Sequence, residues 1–262
     1  MTIQITIVRL EGYGPWTLTL GSDREATLQM LQAKIYYDIQ RLFSQKKGLA
    51  YSNRFDEYFV ITNGISMQDH LEIKNELDQQ YKNLKLSMMV GYGLTPFEAN
   101  RNAHIARKSS EQTYRTLGIF GKTIPSSSSP PSSGRSHSSF VQLMHIDIDH
   151  STEVGSILSP YEITCLVSKI YSRLSDEFLR KESMTFFIGG DNFMVISNGS
   201  TNEDAKRVIE MITADLNIKL NCGIGIAMTG RQAAEAATQA LDTVRILRNQ
   251  GKIQSLYQIK CL

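Results

Sequence analysis

The chain is written twice. Asp56, Glu57, Tyr58, Phe59, Val60, Ile61, Thr62, Asn63 and Gly64 lead into a helical stretch, and Asp191, Asn192, Phe193, Met194, Val195, Ile196, Ser197, Asn198 and Gly199 do the same 135 positions later. Val90, Gly91, Tyr92, Gly93 is answered by Cys222, Gly223, Ile224, Gly225 at an offset of 132. Repetition over such a length points to a duplicated unit, so both copies must fit one fold. Between them, residues 118–139 hold nine serines, three prolines and three glycines in 22 positions without an acidic residue. That composition reads as a linker. It leaves 117 residues (1–117) and 123 residues (140–262), each enough for one small domain.

Each copy reads as the same order of elements. In the second, strands are expected over 141–148, 184–188, 193–197, 218–227 and 255–259, with helices over 161–181, 204–214 and 233–249. Ile163, Leu166, Val167, Ile170, Tyr171, Leu174 and Phe178 recur at the spacing of one helix face. In the first, the strands fall over 3–10, 48–52, 58–62 and 84–92 and the helices over 25–43, 68–81 and 96–108. The order β-α-β-β-α-β plus an extra α-β in each half is an α+β class: tandem ferredoxin-like domains in a pseudo-two-fold duplication, with the helices expected on one sheet face.

Within the second copy, Asp147 and Asp149 alternate onto one side of a strand end, and Asp191 sits in the turn after Gly189 and Gly190. In this topology Asp147 and Asp191 should converge, and with the backbone carbonyl of Ile148 they would offer hard oxygen ligands suited to magnesium. An acid at a strand end or in a turn is more often simply solvated. Arg9 stands where Asp147 stands, 138 positions earlier, with Glu11 in place of Asp149. A guanidinium cannot ligate a metal, so one metal site per chain is expected, in the second half.

Asp147, Ile148, Asp149 followed by Gly189, Gly190, Asp191, Asn192, Phe193 resembles the signature of palm-type nucleotidyl and diguanylate cyclases, whose hairpin reads Gly-Gly-Asp-Glu-Phe. Asn192 stands where diguanylate cyclases need a Glu. A narrower family fits both halves: the chain is similar to GTP cyclohydrolase III. The matching segments are Gln4 to Thr6, Tyr13 to Trp16, Arg54 to Asp56, Thr62 to Gly64, His145 to Ile148 and Phe186 to Met194. The serine- and proline-rich linker departs from the family's more charged, helical connection.

The resemblance implies two palm-like halves, a magnesium cofactor with a monovalent cation as an open addition, and GTP as substrate. The expected product is 2-amino-5-formylamino-6-ribosylamino-4(3H)-pyrimidinone 5'-monophosphate, formed with release of two inorganic phosphates. Asp147 and Asp191 would hold the metal with Ile148, and His150 is the candidate proton carrier. Arg248, Lys252, Ser151, Thr152 and Asn192 are candidate contacts to substrate. In the metal-free half, Asp56 and Arg54 would read the base, and Tyr13 and Trp16 would flank it. Asp56 paired locally with Arg54, Trp16 packed on the core and Lys252 as a solvated lysine stay open alternatives. So do two other activities: a nucleotidyl or diguanylate cyclase, and an inactive nucleotide-binding module.

Composition removes other classes. With 28 basic against 26 acidic residues, the net charge of +2 offers no dense basic face for nucleic acid or an anionic membrane. Cys165, Cys222 and Cys261 form no CxxC pair and no zinc-ligand spacing. The start Thr2, Ile3, Gln4, Ile5 reads as a strand, and no apolar run approaches the ~20 residues of a membrane span. The expectation is a cytoplasmic enzyme, homo-oligomeric, with no nucleic-acid or membrane partner.

Overall fold

A computed structural model describes residues 2–108, 115–124, 139–252 and 254–261. They divide into two compact units, one holding 3–93 with 98–108 and 115–124, the other holding 139–252 and 254–261 with Thr2 and 94–97.

The first unit runs β1 (Ile3–Glu11), α1 (Tyr13–Thr17), α2 (Arg24–Gln45), β2 (Leu49–Arg54), β3 (Glu57–Ile61), α3 (Met67–Gln80), β4 (Lys85–Gly93), α4 (Pro96–Ala106) and β5 (Ile119–Gly121). The second runs β6 (Val141–Ile148), α5 (Ser151–Ile157), α6 (Pro160–Leu179), β7 (Met184–Gly189), β8 (Asn192–Ile196), α7 (Asn202–Leu216), β9 (Leu220–Ala227), α8 (Gly230–Asn249) and β10 (Leu256–Lys260). The sheets have one order, β2-β3-β1-β4-β5 and β7-β8-β6-β9-β10, antiparallel except for a parallel final strand.

The order read for each half calls for a closing strand, but no range is assigned to it in the first. Ile119–Gly121 lies inside the stretch read as linker, yet it pairs with β4, and Ile119 is fully buried in the core. Three residues, the last of them Gly121, are too few to show a period. Residues 125–138 of that stretch lie outside the described residues.

The helices occupy both sheet faces rather than one. Met144, Ile146 and Ile148 of β6 share a core with Ile170, Leu174 and Phe178 of α6 and Val208, Ile209 and Ile212 of α7. The alternate residue His145 bonds Thr238 of α8, so α8 covers the opposite face. Glycines permit this close approach: a Cβ on Gly225 would overlap backbone atoms of Ala233 and Ala237, and one on Gly223 those of Ala237 and Leu241. Gly91 meets Ala99 and Ala103 of α4 in the same way. Strand register makes Gly91 and Gly225 the true counterparts, opposite Ile5 and Leu143, so the offset there is 134 rather than 132.

The repeated Asn-Gly has a structural task in both units. Asn63 Oδ1 accepts the Gln4 backbone N–H at 2.9 Å, and Asn198 Oδ1 accepts that of Gln142 at 3.0 Å. The Gln4 amide donates to the Ile65 carbonyl and the Gln142 amide to that of Ser200. Capping boxes follow at Ser66 with Asp69 and Thr201 with Asp204, starting α3 and α7.

Candidate functional site

Beyond these shared features the units part. α4 spans 11 residues and α8 spans 20, from equivalent starts. On α8 the row Ala233, Ala237, Leu241 packs down on the sheet, and the next residue in that i+4 row is Arg245. Its guanidinium pairs with Asp147 Oδ2. Arg248, one turn on, abuts Asp149 Oδ1. Both acids of β6 and the loop after it therefore face α8.

Asp147 is only 3% exposed, and its Oδ1 is buried with no hydrogen-bond partner. A buried carboxylate oxygen without a donor is costly, and such an atom is suited to meet a cation. Asp149 accepts from Asn221 Nδ2 at 3.2 Å. A cavity of about 320 Å³ is lined by Asp147, Ile148, His150, Ser151, Arg245 and Arg248, among others. A neighbouring cavity of about 520 Å³ is lined by Asp149, His150, Arg248 and Lys252 with residues of α7 and the segment before β10.

His150 occupies a left-handed turn (φ 54°) before α5, as Gly12 does (φ 65°) before α1, 138 positions earlier. Its Nδ1 lies 3.0 Å from Glu153 Oε1. Ser151 opens α5, and Thr152 belongs to that helix, its side chain outside the described residues.

The register of β6 and β8, with Ile146 opposite Phe193, puts Asp147 and Asp191 at the same end of the sheet. Asp191 does not line the smaller cavity; its Oδ1 accepts from Asn192 Nδ2 at 2.9 Å. Asn192 Oδ1 in turn lies 3.0 Å from His145 Nε2, and burial pushes the His145 imidazole below its ordinary pKa. Among the described residues no group of three His, Cys, Asp or Glu side chains converges. Magnesium needs no such cluster, since it takes one or two carboxylates and completes its shell with water and phosphate oxygens. Asp147 Oδ1, beside Ile148, fits that demand.

In the first unit the charges are exchanged. Arg9 pairs with Glu57 directly opposite on β3, and Glu11 is held by Arg107 at 2.8 Å and by Ser87. Arg54 pairs locally with Asp56 at 3.4 Å and with Glu57 at 3.0 Å. Tyr13 OH bonds Gln32, and Trp16 is half-buried with its ring 6.0 Å from that of Tyr13.

Arg245, Asn221, Thr238 and the bonding of His145 escaped sequence reasoning. Arg245 left a signal: the small-residue row that packs on the sheet ends in a cation at the level of a buried acid.

Two five-stranded sheets of one order, with an acid pair at one strand end and a Gly-Gly-Asp hairpin beside it, define a duplicated palm-type protein. The profile of GTP cyclohydrolase III matches residues 3–258, and the chain belongs to that family. It is 35% identical over 249 residues to GTP cyclohydrolase III of Methanothermobacter thermautotrophicus, covering 93% of this chain and 94% of that one. Against GTP cyclohydrolase III of Methanocaldococcus jannaschii it is 34% identical over 249 residues, covering 93% and 88%. Among solved structures, the active GGEEF domain of a diguanylate cyclase from Vibrio cholerae aligns with 47% of this chain and 85% of its own at 14% identity, with a TM-score of 0.35. No helix among the described residues is long and apolar enough to cross a membrane.

Proposed function

We propose that this chain opens the imidazole ring of GTP and removes its two terminal phosphates, yielding the formylamino-pyrimidinone 5'-monophosphate named above. Atoms balance with one water added across the C8–N9 bond and one for each phosphoanhydride cleaved. The observation that carries the reading is the pair of acid–arginine contacts, Asp147–Arg245 and Asp149–Arg248, at the wall of a small polar cavity in a chain of this family.

Such pairs suit a substrate that arrives as a metal–polyphosphate. The incoming anion offers each guanidinium a bidentate partner, and the accompanying cation takes over the carboxylates. When bound, magnesium would supply phosphoanhydride polarisation and a more acidic water. Asp147, with Ile148 and Asp191, would hold it. Arg245, Arg248 and Lys252 would bind phosphate oxygens, helped by Ser151 and Thr152. His150, which lines both cavities, is our candidate for moving a proton. Asp56, Arg54, Tyr13 and Trp16 of the first unit are the candidate base-reading set. Dependence on a monovalent cation and self-association as a homo-oligomer belong to the same reading, tested by potassium titration and by sedimentation.

Incubation of the protein with GTP and magnesium tests the proposal through the ultraviolet spectrum and phosphate release. Loss of the guanine band with inorganic phosphate is the expected result. An intact chromophore with pyrophosphate released would replace it with a cyclase, and binding without turnover with an inactive module.

A further inference from the structure

Three hydrogen bonds connect α8 to Asp191 through two strands. Thr238 Oγ1 lies 3.1 Å from His145 Nδ1, His145 Nε2 lies 3.0 Å from Asn192 Oδ1, and Asn192 Nδ2 lies 2.9 Å from Asp191 Oδ1. The donors can be assigned from one end. An ionised carboxylate only accepts, so Asn192 must turn its NH₂ to Asp191 and its carbonyl oxygen to His145. His145 must then carry its proton on Nε2, which leaves Nδ1 to accept from the Thr238 hydroxyl. All three donors point toward Asp191.

We infer that His145 and Thr238 are positioning residues that fix the Asp191 carboxylate for the metal through Asn192. This rests on the reading of Asp191 as a metal ligand. It also accounts for the amide at position 192. Asn192 has a donor on one side and an acceptor on the other, and its amide meets both, the carbonyl accepting from His145 and the NH₂ donating to Asp191. A carboxylate there could accept from His145 but would face Asp191 as a like charge. Glu57, the counterpart in the first unit, instead meets the cation Arg9, and no imidazole is involved. The arrangement follows the logic of outer-shell partners that hold metal ligands in orientation.

The test compares the protein with Thr238→Val and Thr238→Ser. Nitrogen-15 spectra of the histidines in the parent protein are expected to show the His145 proton on Nε2, without metal or substrate. Thr238→Val is expected to raise the magnesium concentration for half-maximal GTP turnover roughly fivefold, the size of one lost hydrogen bond, and to move the KM for GTP less. Thr238→Ser should restore the parent value. A proton on Nδ1, an unchanged magnesium requirement in Thr238→Val, or an equal shift in the KM for GTP would overturn the inference. If the parent protein does not turn over GTP, the proposed function fails, and the position of the His145 proton still decides whether the relay exists.

Discussion

Arg245 holds Oδ2 of Asp147 while Oδ1, buried, has no hydrogen-bond partner. The guanidinium is thus a stand-in countercharge, partly exposed on its own side, for a carboxylate that is not.

Replacing Arg245 by Met leaves Asp147 buried and unpaired. Losing one partner of a fully buried pair costs about 3–5 kcal/mol, but the Arg245 side chain is 44% exposed and solvent screens it, so about 1–2 kcal/mol is expected. Magnesium should raise the melting temperature more in Arg245→Met than in the parent protein, because the cation replaces the missing charge. Equal shifts in both proteins would remove Asp147 from the ligand set.

Asp191→Ala should abolish turnover while leaving the melting temperature nearly unchanged. Asp191 is half-exposed and accepts a hydrogen bond from the Asn192 amide. Parent-like turnover in this variant would sink the metal reading at that residue.

His70 makes the first unit acid-sensitive at a position where the second carries Ala205 on α7. Buried against Thr6 and the Ser66 carbonyl, its imidazole is pushed by burial down to about 4. The unfolded chain therefore binds more protons between about pH 6.5 and 4, so stability is full above that window and falls as pH drops through it. The loss approaches about 3 kcal/mol at pH 4. Urea denaturation of His70→Gln between pH 7 and 4.5 should show a flatter pH dependence than the parent; an identical slope would contradict the assignment.

Gly225→Ala should destabilise by about 2 kcal/mol or more, because the new methyl meets backbone rather than a yielding side chain. As α8 also carries Arg245 and Arg248, activity should fall with stability. A variant with parent-like melting and kcat/KM would show that the helix yields more easily than its packing suggests.

Much of the fold was legible because the chain states it twice. The pattern at 56–64 and 191–199, the helix period of α6 and the Gly-Gly-Asp turn fixed element order, and with it the end of the sheet that carries the acids. What was hidden lay in third dimensions that periodicity does not report. β5 is three residues long. The face that α8 covers is set by Gly223 and Gly225, which in sequence read as ordinary strand glycines. The expectation that Asp147 and Asp191 converge captured their shared sheet end, but not that each is engaged by a neighbour, Arg245 or Asn192. Arg245 lies beyond the part of α8 that α4 matches, and the position equivalent to it, 111, is outside the described residues.

The glutamine–asparagine clasps, Gln4 with Asn63 and Gln142 with Asn198, sit where β1 and β6 begin, whereas Asp147 and Arg9 stand where those strands finish. The clasps that the halves share and the charged pairs that distinguish them thereby lie at opposite poles of each sheet. A duplicated chain of this design can rewrite one pole, acid to base in a single codon's reach of the same strand, without unlearning how to assemble. The halves differ at that pole while the clasp at the other is kept in both.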